Sequence, residues 1–152
     1  MILGSDVDAA RTRAGTILAF DFGTRRTGVA VGETTLGLAH PLATIAADND
    51  ADRLAAIAAL VGEWQPALLV VGLPTHADGT PHDMTARARK FAHRLEARFR
   101  LPVELVDERY TTEAATMALG GAGVGARGQK PVRDQVAAQI ILQAYFDQRA
   151  HA

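Results

Sequence analysis

Three acidic residues occur where the chain could gather them at one edge of a sheet. Asp21 ends an apolar run typical of a buried strand, and the pair Asp107 and Glu108 ends another such run. Asp134 lies at or close to the start of the last helical pattern. Because sites in open α/β sheets form at the carboxyl ends of the strands, we expect Asp21, Glu108 and Asp134 to converge.

Carboxylates gathered in this way indicate a hard divalent cation. They repel one another strongly at close range, and a cation relieves that repulsion. Oxygen ligands without a neighbouring histidine suit Mg²⁺ or Mn²⁺ rather than zinc. Two such ions can activate a water and stabilise the leaving oxygen of a phosphodiester. The purely structural alternatives are that Asp21 hydrogen-bonds its own turn and that Asp134 is a helix N-cap.

Each acid has basic neighbours in the sequence, as a site that holds phosphates against its own carboxylates requires. They are Arg25 and Arg26 after Asp21, Arg109 after Glu108, and Arg127, Lys130 and Arg133 before Asp134. Local ion pairing is the alternative role. We expect the glycine-rich segment 120–128 to be a loop that is mobile in the free protein and ordered on nucleic acid. Arg127, Lys130 and Arg133 would lie on this loop, which leads to Asp134. A helical stripe of Arg87, Lys90, Arg94 and Arg98 is either a second phosphate surface or a solvated face.

The pattern of elements predicts an α/β fold. Two apolar runs joined across a glycine-containing loop, 17–20 and 29–31, predict a β-hairpin. A third strand contains Pro41, which favours a sheet edge, and the apolar run 67–71 is typical of a central strand. We predict a five-stranded mixed sheet, its first three strands antiparallel, with helices on both faces. This domain would span residues 17–149, after a disordered extension at 1–16.

The composition limits the possible partners. The chain has 152 residues, 48% of them apolar, and no cysteine, which excludes disulfides and thiolate chemistry. Its net charge of −1 means that nucleic acid must be bound by local positive charge. No apolar run approaches the ~20 residues of a membrane span, and no secretory signal is evident. We expect a cytoplasmic protein, a monomer or weak homodimer, that does not bind membranes.

Four segments carry a family resemblance. DFGTRRTGVAVG, VVGLP with the following ADG, VDERYTTEAA and RDQVAAQIILQAY resemble the four blocks of the YqgF family, also called RuvX. The resemblance covers residues 17–147 in the same order. It implies a ribonuclease H-like fold, a divalent-metal nuclease activity, and a cytoplasmic role in maturing the 5′ end of pre-16S rRNA. The family is also described as Holliday junction resolvases, which would act on branched DNA.

The resemblance also assigns residues. It implies that Asp21, Glu108 and Asp134 are the catalytic and metal-binding acids, and it selects Glu108 over Asp107, only one of which can face the site. Arg26, Arg109 and Thr111 match positions expected to meet phosphate or support the site, whereas Glu33 stands where relatives often carry Asp.

Two other functions remain open from the sequence. The DFGT hairpin also resembles the phosphate-binding hairpin of the actin, Hsp70 and sugar-kinase superfamily, although this chain would supply only one half of such a protein. A non-catalytic module that binds RNA or a transcription partner is the second possibility. In that case the acids would be structural.

Overall fold

A computed structural model describes residues 15–74, 78, 83–108 and 126–150, with the backbone alone for 126–131. Within these ranges the chain forms five strands and three helices. They are β1 (Thr16–Asp21), β2 (Arg26–Glu33), β3 (Leu38–Ala46), α1 (Asp50–Trp64), β4 (Leu68–Leu73), α2 (Thr85–Phe99), β5 (Val103–Asp107) and α3 (Ala126–Ala150). In these ranges no helix combines the length and apolar character needed to cross a membrane.

The strands form one sheet in the order β3-β2-β1-β4-β5. The β1–β2 and β2–β3 pairs are antiparallel, whereas β1–β4 and β4–β5 are parallel. This confirms the predicted five-stranded mixed sheet, including the edge position of β3, which contains Pro41. Because β1, β4 and β5 run in the same direction, their carboxyl ends meet at one edge, where Asp21 and Asp107 end their strands.

Alternating side chains of the sheet build one apolar core on each face. On one face Ile17 and Ala19 of β1 pack with Ile141 and Leu142 of α3. On the other face the core contains Leu18 and Phe20 of β1 together with residues of α1 and α2. All six residues of β4 are buried, as expected for a central strand covered on both sides. The helices therefore lie on both faces, as predicted.

The boundaries correct several details of the prediction. β1 begins at Thr16, and the Gly15 amide donates to the Thr34 hydroxyl, so the proposed extension ends earlier than residue 16. Residues 1–14 lie outside the described residues. β4 continues to Leu73, beyond the predicted apolar run 67–71, and so includes Gly72. Asn49 caps α1, since its side chain accepts a hydrogen bond from the Asp52 amide.

The start of α3 was predicted wrongly. This helix begins at Ala126, so Arg127, Lys130 and Arg133 lie on a helix rather than on a loop, and Asp134 is well inside it rather than its cap. Gly128 and Pro131 are both poor helix formers, and Pro131 removes a backbone hydrogen bond of the helix. The packing of Ile141 and Leu142 against the sheet stabilises the helix as a whole. Residues 109–125, which include most of the predicted glycine-rich loop, lie outside the described residues.

Candidate active site

Asp21 and Glu108 meet across the central strand of the sheet. Asp21 is the last residue of β1 and Glu108 follows the last residue of β5, with β4 between these two strands. Their side chains are joined by a hydrogen bond. Two acids that are far apart in the sequence are thus in direct contact, as predicted, because parallel strands bring their carboxyl ends to the same edge.

Gly72 makes room for this contact. A Cβ atom placed on Gly72 would lie 2.8 Å from the carboxyl carbon of Glu108 and 2.4 Å from Cδ1 of Ile141. These distances are shorter than any ordinary packing contact. The Glu108 side chain therefore crosses β4 through space that Gly72 leaves open, while Ile141 of α3 closes the same space from the core side.

Burial makes both carboxyls weaker acids than usual. Burial raises the pKa of Glu108 above its ordinary value, and the charge of Asp21, their shared hydrogen bond and the charge of Asp107 raise it further. Burial also raises the pKa of Asp21; the hydrogen bond from Glu108 opposes this rise, and the charge of Asp134 adds to it. Glu108, whose pKa is raised by every one of these causes, is therefore the carboxyl that holds its proton more strongly.

Asp134 lies within electrostatic range of Asp21 but is paired with a cation. The Nε atom of Arg26 donates to Oδ2 of Asp134 at 2.8 Å. The side chain of Asp134 is 18% exposed and that of Arg26 is 37% exposed, so the guanidinium can contact solvent while it holds the acid. Within the described ranges no three acidic or histidine side chains are close enough together to hold a metal ion. The structure therefore brings two of the predicted acids into contact and the third beside them.

Gly28 determines how closely Asp134 approaches. It pairs with Asp21 across the β1–β2 hairpin. A Cβ atom placed on Gly28 would lie 1.8 Å from the backbone oxygen of Asp134. The backbone of α3 therefore rests directly on β2 beside Asp21, a contact that every other residue type would prevent.

The other predicted site residues are placed only in part. Arg25 is exposed in the loop between β1 and β2, and Arg133 is exposed on α3 next to Asp134. Arg109 and Thr111 lie outside the described residues. The backbone of Arg127 and Lys130 belongs to α3, and their side chains are likewise outside the description.

Sequence reasoning missed Arg53, which supports the loop that follows Asp21. This side chain is buried and donates from Nη2 to the backbone oxygens of Thr24 and Ala47, at 2.6 and 3.2 Å. Its guanidinium also lies 5.0 Å from the ring centre of Phe22. A usable signal existed, because Arg53 stands four residues before the core residue Ile57 and therefore on the inward face of α1.

Solved structures show the class of fold. The Thermus thermophilus RuvC structure in complex with a Holliday junction substrate matches with a TM-score of 0.54 and 15% identity, over 90% of this chain and 96% of RuvC. The Fowlpox virus resolvase, solved with its Holliday junction DNA, matches with a TM-score of 0.51 and 9% identity, over 88% of this chain and 98% of the resolvase. The fold is ribonuclease H-like, as predicted.

Sequence comparison shows the family. The model of the RuvX family, described as Holliday junction resolvase, matches residues 15–148. A relative from Nitrosospira multiformis is 59% identical over 141 residues, which is 93% of each chain. One from Dechloromonas aromatica is 58% identical over 137 residues, 90% of this chain and 94% of the relative. Both are named "Putative pre-16S rRNA nuclease". The chain belongs to the RuvX family, and it is a nuclease, a hydrolase of phosphodiester bonds.

Proposed function

We propose that this chain is a divalent-metal-dependent nuclease that processes the 5′ end of pre-16S rRNA in the cytoplasm, with Asp21, Glu108 and Asp134 as its catalytic acids. The observation that carries the proposal is the half-buried contact between Asp21 and Glu108 across Gly72, with Asp134 beside it. The names of the similar proteins favour precursor rRNA as the substrate. The description of the family model favours branched DNA as a second candidate.

The chemistry of the donors fits Mg²⁺ or Mn²⁺. Asp21 and Glu108 offer hard carboxylate oxygens, and their raised pKa values reflect the cost of placing negative charge there without a cation. These two residues would hold the ion, and Asp134 would join them once it is released from Arg26. When bound, such an ion supplies an activated water and stabilises the leaving oxygen of the phosphodiester.

The side chains around this site would position the substrate. For Glu108 to become a ligand, its proton must leave the carboxyl pair. Arg26 would then exchange the carboxylate of Asp134 for a phosphate oxygen, an acceptor that suits a guanidinium equally well. Arg25, Arg109, Thr111, Arg127, Lys130 and Arg133 would contact neighbouring phosphates or support the site.

Cleavage of defined substrates tests this proposal. The purified chain is incubated with a labelled rRNA precursor and with a four-way DNA junction, each with Mn²⁺ and with a chelator. We expect cleavage of the precursor only when the metal is present. Cleavage of the junction alone would replace the rRNA assignment with the branched-DNA one, and cleavage in the chelator would contradict the metal mechanism.

Replacement of single acids tests the roles of the residues. Asp21→Asn keeps the shape of the side chain and removes its charge, so the fold should persist and cleavage should fall by at least about 10³-fold, the scale of losing a charged catalytic group. Asp147→Asn is the matched control, because Asp147 is exposed on α3 and contacts Gln143 rather than the site. Persistent cleavage by Asp21→Asn would remove this residue from the mechanism.

A further inference from the structure

A cavity opens beside Asp21 on the opposite face of the sheet from α3. The chain alternates at this point, so Asp21 faces Asp134 while the next residue, Phe22, turns toward α1 and α2. The ring of Phe22 packs on Phe91 of α2 with 4.8 Å between centroids. Both rings line a cavity of about 450 Å³. This volume is in the range of small-molecule binding sites.

The rim of the cavity carries positive charge. Arg53, Arg87, Lys90 and Arg94 line it, against the two acids Asp48 and Asp50. Asp50 is already paired with both Arg53 and Arg94. Arg87 and Lys90 are exposed three residues apart on α2, and in the described part of the chain neither forms an ion pair. These two cations are therefore available to an anionic ligand.

The base of the cavity is formed by the aromatic side chains of Phe22 and Phe91 and by the buried Arg53. Arg53 is only 3% exposed, and its Nε atom has no hydrogen-bond partner among the described residues. Aromatic rings beside arginine are the surfaces on which proteins stack unpaired bases. The cavity thus offers aromatic surface for a planar base and two cations for its phosphate.

We propose that this cavity binds one unpaired nucleotide of the substrate strand, next to the phosphodiester that lies at Asp21. The base contacts Phe22, whose ring rests on the buried Phe91, and its phosphate contacts Arg87 and Lys90. Because Phe22 follows Asp21 directly, a strand that crosses this edge of the sheet reaches the acids and the cavity with neighbouring nucleotides. A base can enter only if it is unstacked, so the substrate is single-stranded at the cut. This inference rests on the proposed nuclease function and specifies its substrate.

Binding without cleavage tests the inference. Affinities for a single-stranded RNA oligonucleotide and for a blunt RNA duplex are measured in a chelator for the wild type and for the double variant Arg87→Ala/Lys90→Ala. The matched control is Arg89→Ala/Arg98→Ala, which removes the same charge from exposed positions of the same helix outside the cavity. A third variant, Phe22→Leu, keeps apolar volume and removes the aromatic face, and circular dichroism verifies that each variant is folded.

The single strand should distinguish the variants. We expect the cavity variant and Phe22→Leu each to weaken single-strand binding at least about fivefold, and the control to stay within about twofold of the wild type. Duplex binding should respond equally to both double variants. Equal losses of single-strand binding in the cavity and control variants would overturn the inference, and so would a cavity variant that loses duplex binding to the same extent as single-strand binding.

A fluorescent base locates the nucleotide. The fluorescent base 2-aminopurine is placed at successive positions of the single strand. We expect the wild-type protein to change its fluorescence at one position and Phe22→Leu to abolish that change. A fluorescence change that survives Phe22→Leu overturns the assignment. Because no divalent metal is present, the outcome is separate from that of the nuclease proposal. A chain that shows these effects but never cleaves with Mn²⁺ supports the cavity and contradicts the nuclease function, whereas cleavage without these effects contradicts only the cavity.

Discussion

Replacing Gly28 with alanine should damage catalysis more than stability. The added Cβ would lie 1.8 Å from the Asp134 backbone oxygen, and ordinary contacts begin near 3.4 Å, so α3 must move by about 1.6 Å at this point. Overpacking of this kind costs about 1–3 kcal/mol, which lowers the Tm of a chain of this size by roughly 2–12 °C. A displacement of about 1 Å at a catalytic group costs about 10²-fold in rate. We therefore expect Gly28→Ala to be folded at 25 °C and to cleave about 10²-fold more slowly.

Two glycine controls separate positioning from stability. Gly32 lies on the same strand, and its added Cβ would meet Leu38 and Phe146 at 2.7 and 2.8 Å, away from the acids. Gly32→Ala should therefore lower the Tm with little loss of activity. Gly62 is exposed within α1 with open space around it, so Gly62→Ala should stabilise the fold by about 0.5–1 kcal/mol. Thermal unfolding and single-turnover cleavage are the measurements. Wild-type cleavage by folded Gly28→Ala, or an equal loss of cleavage in Gly32→Ala, would refute the reasoning.

Two further changes probe the charges of the site. Glu108→Gln should raise the free energy of unfolding of the metal-free protein by roughly 1–2 kcal/mol. This gain corresponds to a Tm higher by about 2–8 °C. Because the folded-state pKa of Glu108 is raised, the stability of the wild type falls as the pH rises above the ordinary value of 4.5. The stabilisation by Glu108→Gln should therefore grow with pH in a series of melting curves. A stabilisation that shrinks with pH would contradict the assigned direction of the pKa shift. Replacing Arg127, Lys130 and Arg133 with alanine should flatten the log–log salt dependence of RNA binding by roughly two to three, and an unchanged slope would remove these residues from the phosphate contacts.

The sequence was sufficient where local patterns determine the structure. The apolar run before Asp21, the hairpin after it and the central strand near residue 70 predicted the sheet, because strand patterns depend on neighbouring residues. The same logic placed Asp21 and Glu108 at one edge, where they are in contact. It was insufficient for the start of α3, because packing of Ile141 and Leu142 outweighs the local signals of glycine and proline.

Non-local contacts explain the remaining omissions. The importance of Gly28 and Gly72 depends on what approaches them from α3 and β5, which no spacing in the sequence specifies. The pairing of Arg26 with Asp134 joins residues separated by 108 positions. The cavity beside Phe22 likewise needs α1 and α2 in place. Predictions about the catalytic role of Asp134 and the phosphate contacts stay predictions until they are tested by mutation.

The position of α3 at the end of the described chain has a consequence for synthesis. A growing chain that extends only to residue 125 holds Asp21 but lacks Asp134, and it leaves Ile17 and Ala19 of β1 without the apolar side chains of α3 that cover them. Contacts of such long sequence separation form late, because the entropy of loop closure must first be overcome. On the proposed catalytic role of Asp134, we therefore expect the nascent chain on the ribosome to be inactive until α3 has emerged and docked.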